Sequence, residues 1–242
     1  MTWWYAVVEA RHGLQNPTSP EKIRELGERL DLRPDAHVLD IASGKGGPAL
    51  LLAETFGCLL TCVERAPEFV AAARERTAAA GLEDRIEIVE ADAAAYELGS
   101  YDAALCLGGS FVYGGLVPTL ERLRKAAPLV AVGEPYWREW PLPAEAGSDA
   151  EEWVPEEEFL PLSETIERAE SAGVRVVSLI ASSLDDWDRY ESLHWLALDE
   201  WLAANPDHPQ ADEFRARGAA HRARYVAWER AVLGWAIFVC RS

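Results

Sequence analysis

At 242 residues, with 49% apolar side chains, the chain is long enough to bury the core of one α/β domain. Its formal net charge of −18 argues against nucleic acid, whose phosphates need clustered Lys and Arg, and against anionic membrane surfaces. No segment approaches the about 20 unbroken apolar residues of a membrane span. The stretch from Met1 to Glu9 lacks the basic start and apolar run of a signal peptide, so a cytoplasmic location is expected.

Strand and helix signals alternate along the chain. Thr18 and Ser19 precede Pro20 and Glu21, good chemistry for starting a helix, and Ile23, Leu26 and Leu30 follow at helical spacing. Val38–Ile41 reads as the first strand and Gly47–Phe56 as its helix; Leu59–Glu64 reads as the second strand, and Pro67 opens an alanine-rich helix ending near Gly81. Arg85–Glu90, Tyr101–Leu107, Leu129–Gly133, Val174–Ile180 and Trp235–Cys240 complete seven predicted strands. Strands separated by helices predict a single α/β domain over residues 1–242, built on a doubly wound, largely parallel sheet. Cys58, Cys62, Cys106 and Cys240 lie in or beside these apolar runs without C-x-x-C spacing, so reduced core thiols are expected.

Two segments break the rhythm. Glu134–Pro161 is rich in proline, tryptophan and acids, and Leu184–Leu233 is mainly helical by pattern, with a turn expected at Asn205–Pro209. Long connections in such folds often act as lids, so acceptor or substrate specificity is expected in these insertions.

The most informative stretch runs from Val38 through Asp40 and Gly44-Lys45-Gly46-Gly47 to Ala49. An apolar strand ends in an acid, passes a glycine-rich turn and enters a helix, the construction that holds a nucleotide-like cofactor. A carboxylate at the strand end disfavours a pyrophosphate and welcomes a cation, which points to a positively charged cofactor. A P-loop is excluded, because Lys45 is followed by Gly46 and not by a magnesium-binding Ser or Thr.

The pattern from about Thr18 to Val239 resembles the class I S-adenosylmethionine-dependent methyltransferases. Their motif of acid, any, Gly, any, Gly, any, Gly reads here Asp40, Ile41, Ala42, Ser43, Gly44, Lys45, Gly46, with Ala42 in place of the first glycine. The resemblance implies a Rossmann-like fold with a final antiparallel strand after a helical lid, and S-adenosylmethionine as cofactor. It implies that Asp40 and the loop backbone at Ala42, Ser43, Gly44 and Gly46 hold the methionine part. Glu64 closes the second strand about 20 residues after Gly44, the spacing of a ribose-binding acid, and Arg65 is placed to flank the adenine. Asp92 and the Ala93 amide take the adenine-reading position after the third strand, and Leu107 the floor near the methyl.

A nicotinamide or flavin Rossmann oxidoreductase is the alternative enzyme class, since Gly44-x-Gly46-x-x-Ala49 also fits its fingerprint. Asp40 and the late strand after Gly234 tilt against it. A non-catalytic S-adenosylmethionine-binding protein is the third reading.

Methyl transfer from a sulfonium is an in-line displacement that requires alignment and dryness more than acid–base groups, so neither a triad nor a metal is expected. On the acceptor side the candidates are His12, ahead of the Gly13–Pro17 segment expected to lie over the cofactor, Tyr113 after the fourth strand, and His194. Trp187, Tyr190, Glu191, His194 and Trp195 fall on one helical face, either as packing or as an aromatic pocket for a planar or cationic acceptor. Leu107-Gly108-Gly109-Ser110 is not the Pro-Pro-aromatic signature of nucleic-acid amino methyltransferases. The glycine loop, the Asn16–Thr18 segment and the Gly133–Trp137 segment resemble the bacterial small-molecule, ubiquinone/menaquinone-like group. The expected partner is therefore a small-molecule acceptor, with no nucleic acid and no membrane.

Overall fold

A computed structural model describes residues 3–140 and 159–242. Seven strands form one sheet in the order β3-β2-β1-β4-β5-β7-β6. They are β1 (His37–Ile41), β2 (Leu59–Glu64), β3 (Ile86–Glu90), β4 (Ala103–Leu107), β5 (Leu129–Trp137), β6 (Arg175–Ala181) and β7 (Leu233–Arg241). The pairs β1/β2, β1/β4, β2/β3 and β4/β5 are parallel, whereas β7 runs antiparallel between β5 and β6. The expected doubly wound sheet with one late antiparallel strand is what the chain adopts.

Among the described residues the α-helices of five residues or more are α1 (Trp4–Val8), α2 (Pro20–Arg29), α3 (Gly47–Phe56), α4 (Pro67–Ala80), α5 (Leu116–Leu123), α6 (Leu162–Ser171), α7 (Leu184–Ala204) and α8 (Ala211–Arg224). Ser19 caps α2 by accepting from the Lys22 N–H at 3.3 Å, with Pro20 at the first helical position. Gly57 and Gly81 end α3 and α4 in the left-handed conformation that favours glycine. One apolar layer joins Ile23, Leu26 and Leu52 to Ile237 and Trp187, and the other joins Leu39 and Phe238 to Leu120 and Ala169. All four cysteines are buried and free.

One boundary differs from expectation. Glu134–Trp137, read from sequence as the start of an insertion, extends β5, because β7 supplies partners as far as Trp137↔Leu233. Pro135 is tolerated for a local reason. Its partner Trp235 turns its carbonyl toward β6, accepting from the Ser182 N–H at 2.9 Å, so the N–H that proline lacks falls on the opposite side. There β4 has already ended at Leu107↔Gly133, and no ladder bond is lost. Of the remaining insertion, residues 141–158 lie outside the described residues.

The second insertion is helical as expected: α7, a turn at residues 205–210, α8, and a π-helical turn at Tyr225–Glu229 that buries Tyr225 and Trp228. The position of α7 is set at its start. Ser183 and Asp186 form a reciprocal capping box, and Asp186 also binds Lys22 of α2 and Arg189. Burial pushes the Asp186 carboxyl up, but bonds from Lys22, Ser183 and Arg189 more than offset this and hold it at about 2. Among the described residues no helix is long and apolar enough to cross a membrane.

Ser183→Ala is expected to lower the unfolding free energy by about 1 kcal/mol, the usual cost of a lost N-cap. Asp186→Ala is expected to cost more, because Lys22 loses its partner as well. Urea unfolding of both variants checks this. The Asp186 contribution should be complete above its ordinary range near 3.8 and be lost as pH falls through about 2.

Candidate functional site

The strand order reverses direction between β1 and β4, and the loops leaving their carboxyl ends diverge into a cleft. On the β1 side the loop has a simple construction: alternate residues Ala42, Gly44 and Gly46 adopt φ of 55°, 56° and 69°. That alternation is the physical content of the motif spacing, because each left-handed residue turns the chain back over the sheet edge. Ala42 accepts there a conformation that costs an L-residue about 1–2 kcal/mol. It has little room, since a Cβ on Gly109 would stand 2.5 Å from its own.

Asp40 is 2% exposed, and its Oδ2 has no hydrogen-bond partner. Burial, reinforced by the nearby Glu64 charge, pushes its carboxyl up to about 7. Lys45, the nearest cation in sequence, does not relieve it. The Lys45 ammonium is buried and donates to the Glu9 carbonyl at 2.5 Å; burial brings it down to about 8 despite the Glu9 charge.

Glu64 stands at the carboxyl end of β2 beside the same loop, 8% exposed. Its carboxylate accepts from three main-chain N–H groups: Gly44 at 3.0 Å, Arg65 at 2.9 Å and Ala66 at 2.8 Å. Of about four acceptor positions on a carboxylate, roughly one is left for a ligand. A carboxylate free to accept from both ribose hydroxyls would need more than that one position. Arg65 is exposed at the rim, as is Asp92, whose Oδ1 accepts from the Ala94 N–H at 2.9 Å, while Ala93 is buried beneath. Leu107 is buried at the β4 end.

The segment between α1 and α2 lies across this cleft, and two of its side chains touch both walls. Gln15 Oε1 accepts from the Lys45 N–H at 2.5 Å, and Asn16 Nδ2 donates to the Leu107 carbonyl at 3.1 Å. A Cβ on Gly44 would meet Gln15 Oε1 at 2.2 Å, and one on Gly108 would meet Asn16 Oδ1 at 2.3 Å. A Cβ on Gly47 would meet the Gly13 carbonyl at 2.1 Å. The glycines of both loops thus make room for this segment. Sequence reading had placed the segment over the cofactor, but no spacing singled out Gln15 or Asn16.

The three acceptor-side candidates separate. His12 and His194 come together, ring centroids 4.4 Å apart, both buried. His12 Nε2 lies 2.9 Å from the Tyr190 carbonyl and must donate to it, which leaves Nδ1 as a buried lone pair. Burial, aided by the neighbouring His194, lowers His12 to about 4, and burial alone lowers His194 to about 4, so both are neutral at pH 7. Beyond them Glu191 Oε2 stands 3.8 Å from His194 Nδ1 and 3.4 Å from His221 Nδ1. Glu191 belongs to the α7 face already singled out in the sequence, whereas no sequence signal pointed to His221. Tyr113 lies elsewhere. Its ring sits under the Arg122 guanidinium, 4.7 Å away, and Arg122 also binds the carbonyls of Ala94 and Tyr96 on the Asp92 loop.

Known proteins bear on this geometry. A family profile described as a methyltransferase domain matches residues 38–127. The uncharacterized protein YjhP of Escherichia coli is 32% identical over 97% of this chain and 96% of its own length. A S-adenosylmethionine-dependent methyltransferase from Geobacter sulfurreducens, crystallised with S-adenosyl-L-homocysteine, is 33% identical, covers 99% of this chain and 98% of that one, and superposes with a TM-score of 0.92. A S-adenosylmethionine-dependent methyltransferase from Thiobacillus denitrificans with the same ligand is 32% identical, with a TM-score of 0.92 over 100% of this chain and 99% of that one.

Ala42→Gly is expected to stabilise the protein by roughly 0.5–1 kcal/mol, the left-handed strain less the extra entropy that glycine loses on folding. Gly109→Ala is expected to destabilise it, through the contact with Ala42. Chemical denaturation of the two variants reads both signs.

Proposed function

The chain belongs to the class I S-adenosylmethionine-dependent methyltransferases, and on that premise we propose that it methylates a small-molecule acceptor in the cytoplasm. When bound, the cofactor supplies a methyl already activated on sulfur; the chain must bind it, align it with the acceptor and keep water out.

The observation that carries the site assignment is Asp40. A buried carboxylate with an unpartnered oxygen, beside a second acid and away from the Lys45 ammonium, is short of positive charge. The cationic methionine end of S-adenosylmethionine fits that need. In this reading Asp40 and the backbone at Ala42, Ser43, Gly44 and Gly46 hold the methionine part. The last acceptor position on Glu64 takes a ribose hydroxyl, Arg65 flanks the adenine, Asp92 and the Ala93 amide read its edge, and Leu107 floors the methyl.

On the acceptor side we assign His12 and His194, neutral imidazoles with buried lone pairs, to receive a hydrogen bond or proton from the acceptor. Tyr113, beside the Asp92 loop, is withdrawn from the acceptor side. The formal charge of −18 supports a small acceptor over nucleic acid. The inward face of α7, with Trp187, Tyr190 and Trp195, suits a planar or cationic molecule, in keeping with the ubiquinone/menaquinone-like resemblance of the loops.

Calorimetry with S-adenosylmethionine tests the cofactor side. Asp40→Asn and Glu64→Ala are each expected to weaken binding about ten- to hundredfold, the range for bonds to charged groups, with NAD and FAD silent. The sign of the pH dependence follows from Asp40. Below about 7 its carboxyl is protonated in the free protein, so affinity for a cation should rise with pH through about 7 and then level. Asp40→Asn should flatten that rise; unchanged affinity in both variants defeats the assignment. A screen of amine and aromatic acceptors with labelled cofactor tests the acceptor class, and transfer to neither class would overturn it.

A further inference from the structure

We propose that the segment Glu9–Pro17 is a gate on the cofactor site, latched by Gln15 and Asn16, which must lift for the cofactor to enter and its demethylated product to leave. The inference rests on the reading that the cofactor lies between the Asp40 loop and Leu107.

The geometry requires such a movement. The Lys45 N–H belongs to the loop after β1 and the Leu107 carbonyl to the end of β4, the two walls of the cleft. Gln15 holds one and Asn16 the other, so the segment bridges the cleft from wall to wall. A ligand bound between the walls lies beneath it. The contacts at Gly44, Gly47 and Gly108 leave no slack under the bridge, since each is closer than a single Cβ would allow.

The fastenings are of a kind that opens. From Ala10 to Asn16 only His12 is buried, and the one apolar contact with the core is that of the half-buried Leu14. Apart from Leu14 and an exposed Arg11–Glu200 ion pair to α7, what holds the segment is a set of hydrogen bonds. Lys45 Nζ donates to the Glu9 carbonyl at 2.5 Å, Arg76 Nη1 to the Gly13 carbonyl at 3.1 Å, and His12 Nε2 to the Tyr190 carbonyl at 2.9 Å. Gln15 Nε2 donates in addition to the Glu9 carboxylate. Such bonds exchange readily for water when a segment swings out, whereas a packed apolar face would not. At one end α1 buries Val7 and Val8 against Leu198 and Phe214, and at the other Pro17–Ser19 are buried before α2. The gate is therefore a short bridge between two fixed ends.

The bond from His12 to the Tyr190 carbonyl ties the gate to the proposed acceptor side, because Tyr190 and His194 belong to α7. Lifting Gln15 and Asn16 withdraws His12 from its place beside His194.

Stopped-flow mixing of the full chain with S-adenosylhomocysteine, followed by intrinsic tryptophan fluorescence, tests the gate. In the wild type the observed rate should saturate with ligand concentration, at the opening rate of the segment. Asn16→Ala should raise that plateau, and the rate of ligand displacement, about fivefold for its one lost hydrogen bond, and Gln15→Ala, which loses two, should raise both further. The equilibrium affinity should change less than either rate. Rates that stay linear in concentration, or a plateau unmoved in both variants, overturn the gate. Absence of binding overturns the cofactor-site reading instead. Hydrogen exchange on the wild type needs no variant to fold: the amides of residues 10–16 should exchange more slowly with S-adenosylhomocysteine present, and identical exchange with and without it would also refute the gate.

Discussion

A carboxylate buried at the carboxyl end of a central parallel strand is the constraint around which the rest of this protein is arranged. Asp40 lies on β1, flanked by β2 and β4, at a place in the sheet where water cannot reach it. Its neighbour on β2, Glu64, adds repulsion, and the structure meets that second charge with three main-chain N–H groups. Nothing comparable is offered to Asp40. Its carboxyl is left near the neutral range, with an unpartnered oxygen, which is why the proposed cofactor site is centred on it.

The loop after Asp40 and the segment above it are solved together. Left-handed turns at Ala42, Gly44 and Gly46 fold the loop flat, and the missing Cβ atoms at Gly44 and Gly47 admit the segment that carries Gln15. A glycine-rich loop is commonly explained by its ligand alone. Here the same glycines serve the chain's own cover, and Gly108 on the opposite wall serves it in the same way through Asn16. Ala42 is the exception that marks the balance: the turn tolerates one Cβ because Gly109 stands opposite without one.

The surroundings of His12 and His194 are built by long-range packing rather than by loops. Helix α7 is anchored at its start through Asp186, Lys22 and Arg189, so its inward face keeps a fixed station over the sheet edge. That station brings His194 against His12 and sets Glu191 between His194 and His221. Burial keeps both imidazoles neutral.

Much of this was written locally. Apolar periodicity, the Ser19–Pro20 start and the terminal glycines located the strands and the helices α2, α3 and α4 to within a few residues, while α1 and α5 carried no signal that was read. The order of acids at Asp40, Glu64 and Asp92, one per strand end, pointed to the cofactor. Local signals misjudged Glu134–Trp137, because whether a Pro-containing run becomes a strand depends on where its two neighbours end, and only the sheet decides that. Tyr113, expected from its place after β4 to stand with the two histidines, is separated from them, because the turn Ser110–Tyr113 sets its ring beside Arg122 and the Asp92 loop. The family, the fold and the donor are thus determined by the sequence itself, since spacing along one strand–turn–helix unit suffices for them. The pairing of His12 with His194, the bridge of Gln15 and Asn16 across the cleft, and the part of Glu64 already spent on its own backbone were decided only by tertiary structure. Each joins residues that no local period relates, and only packing determines their distance.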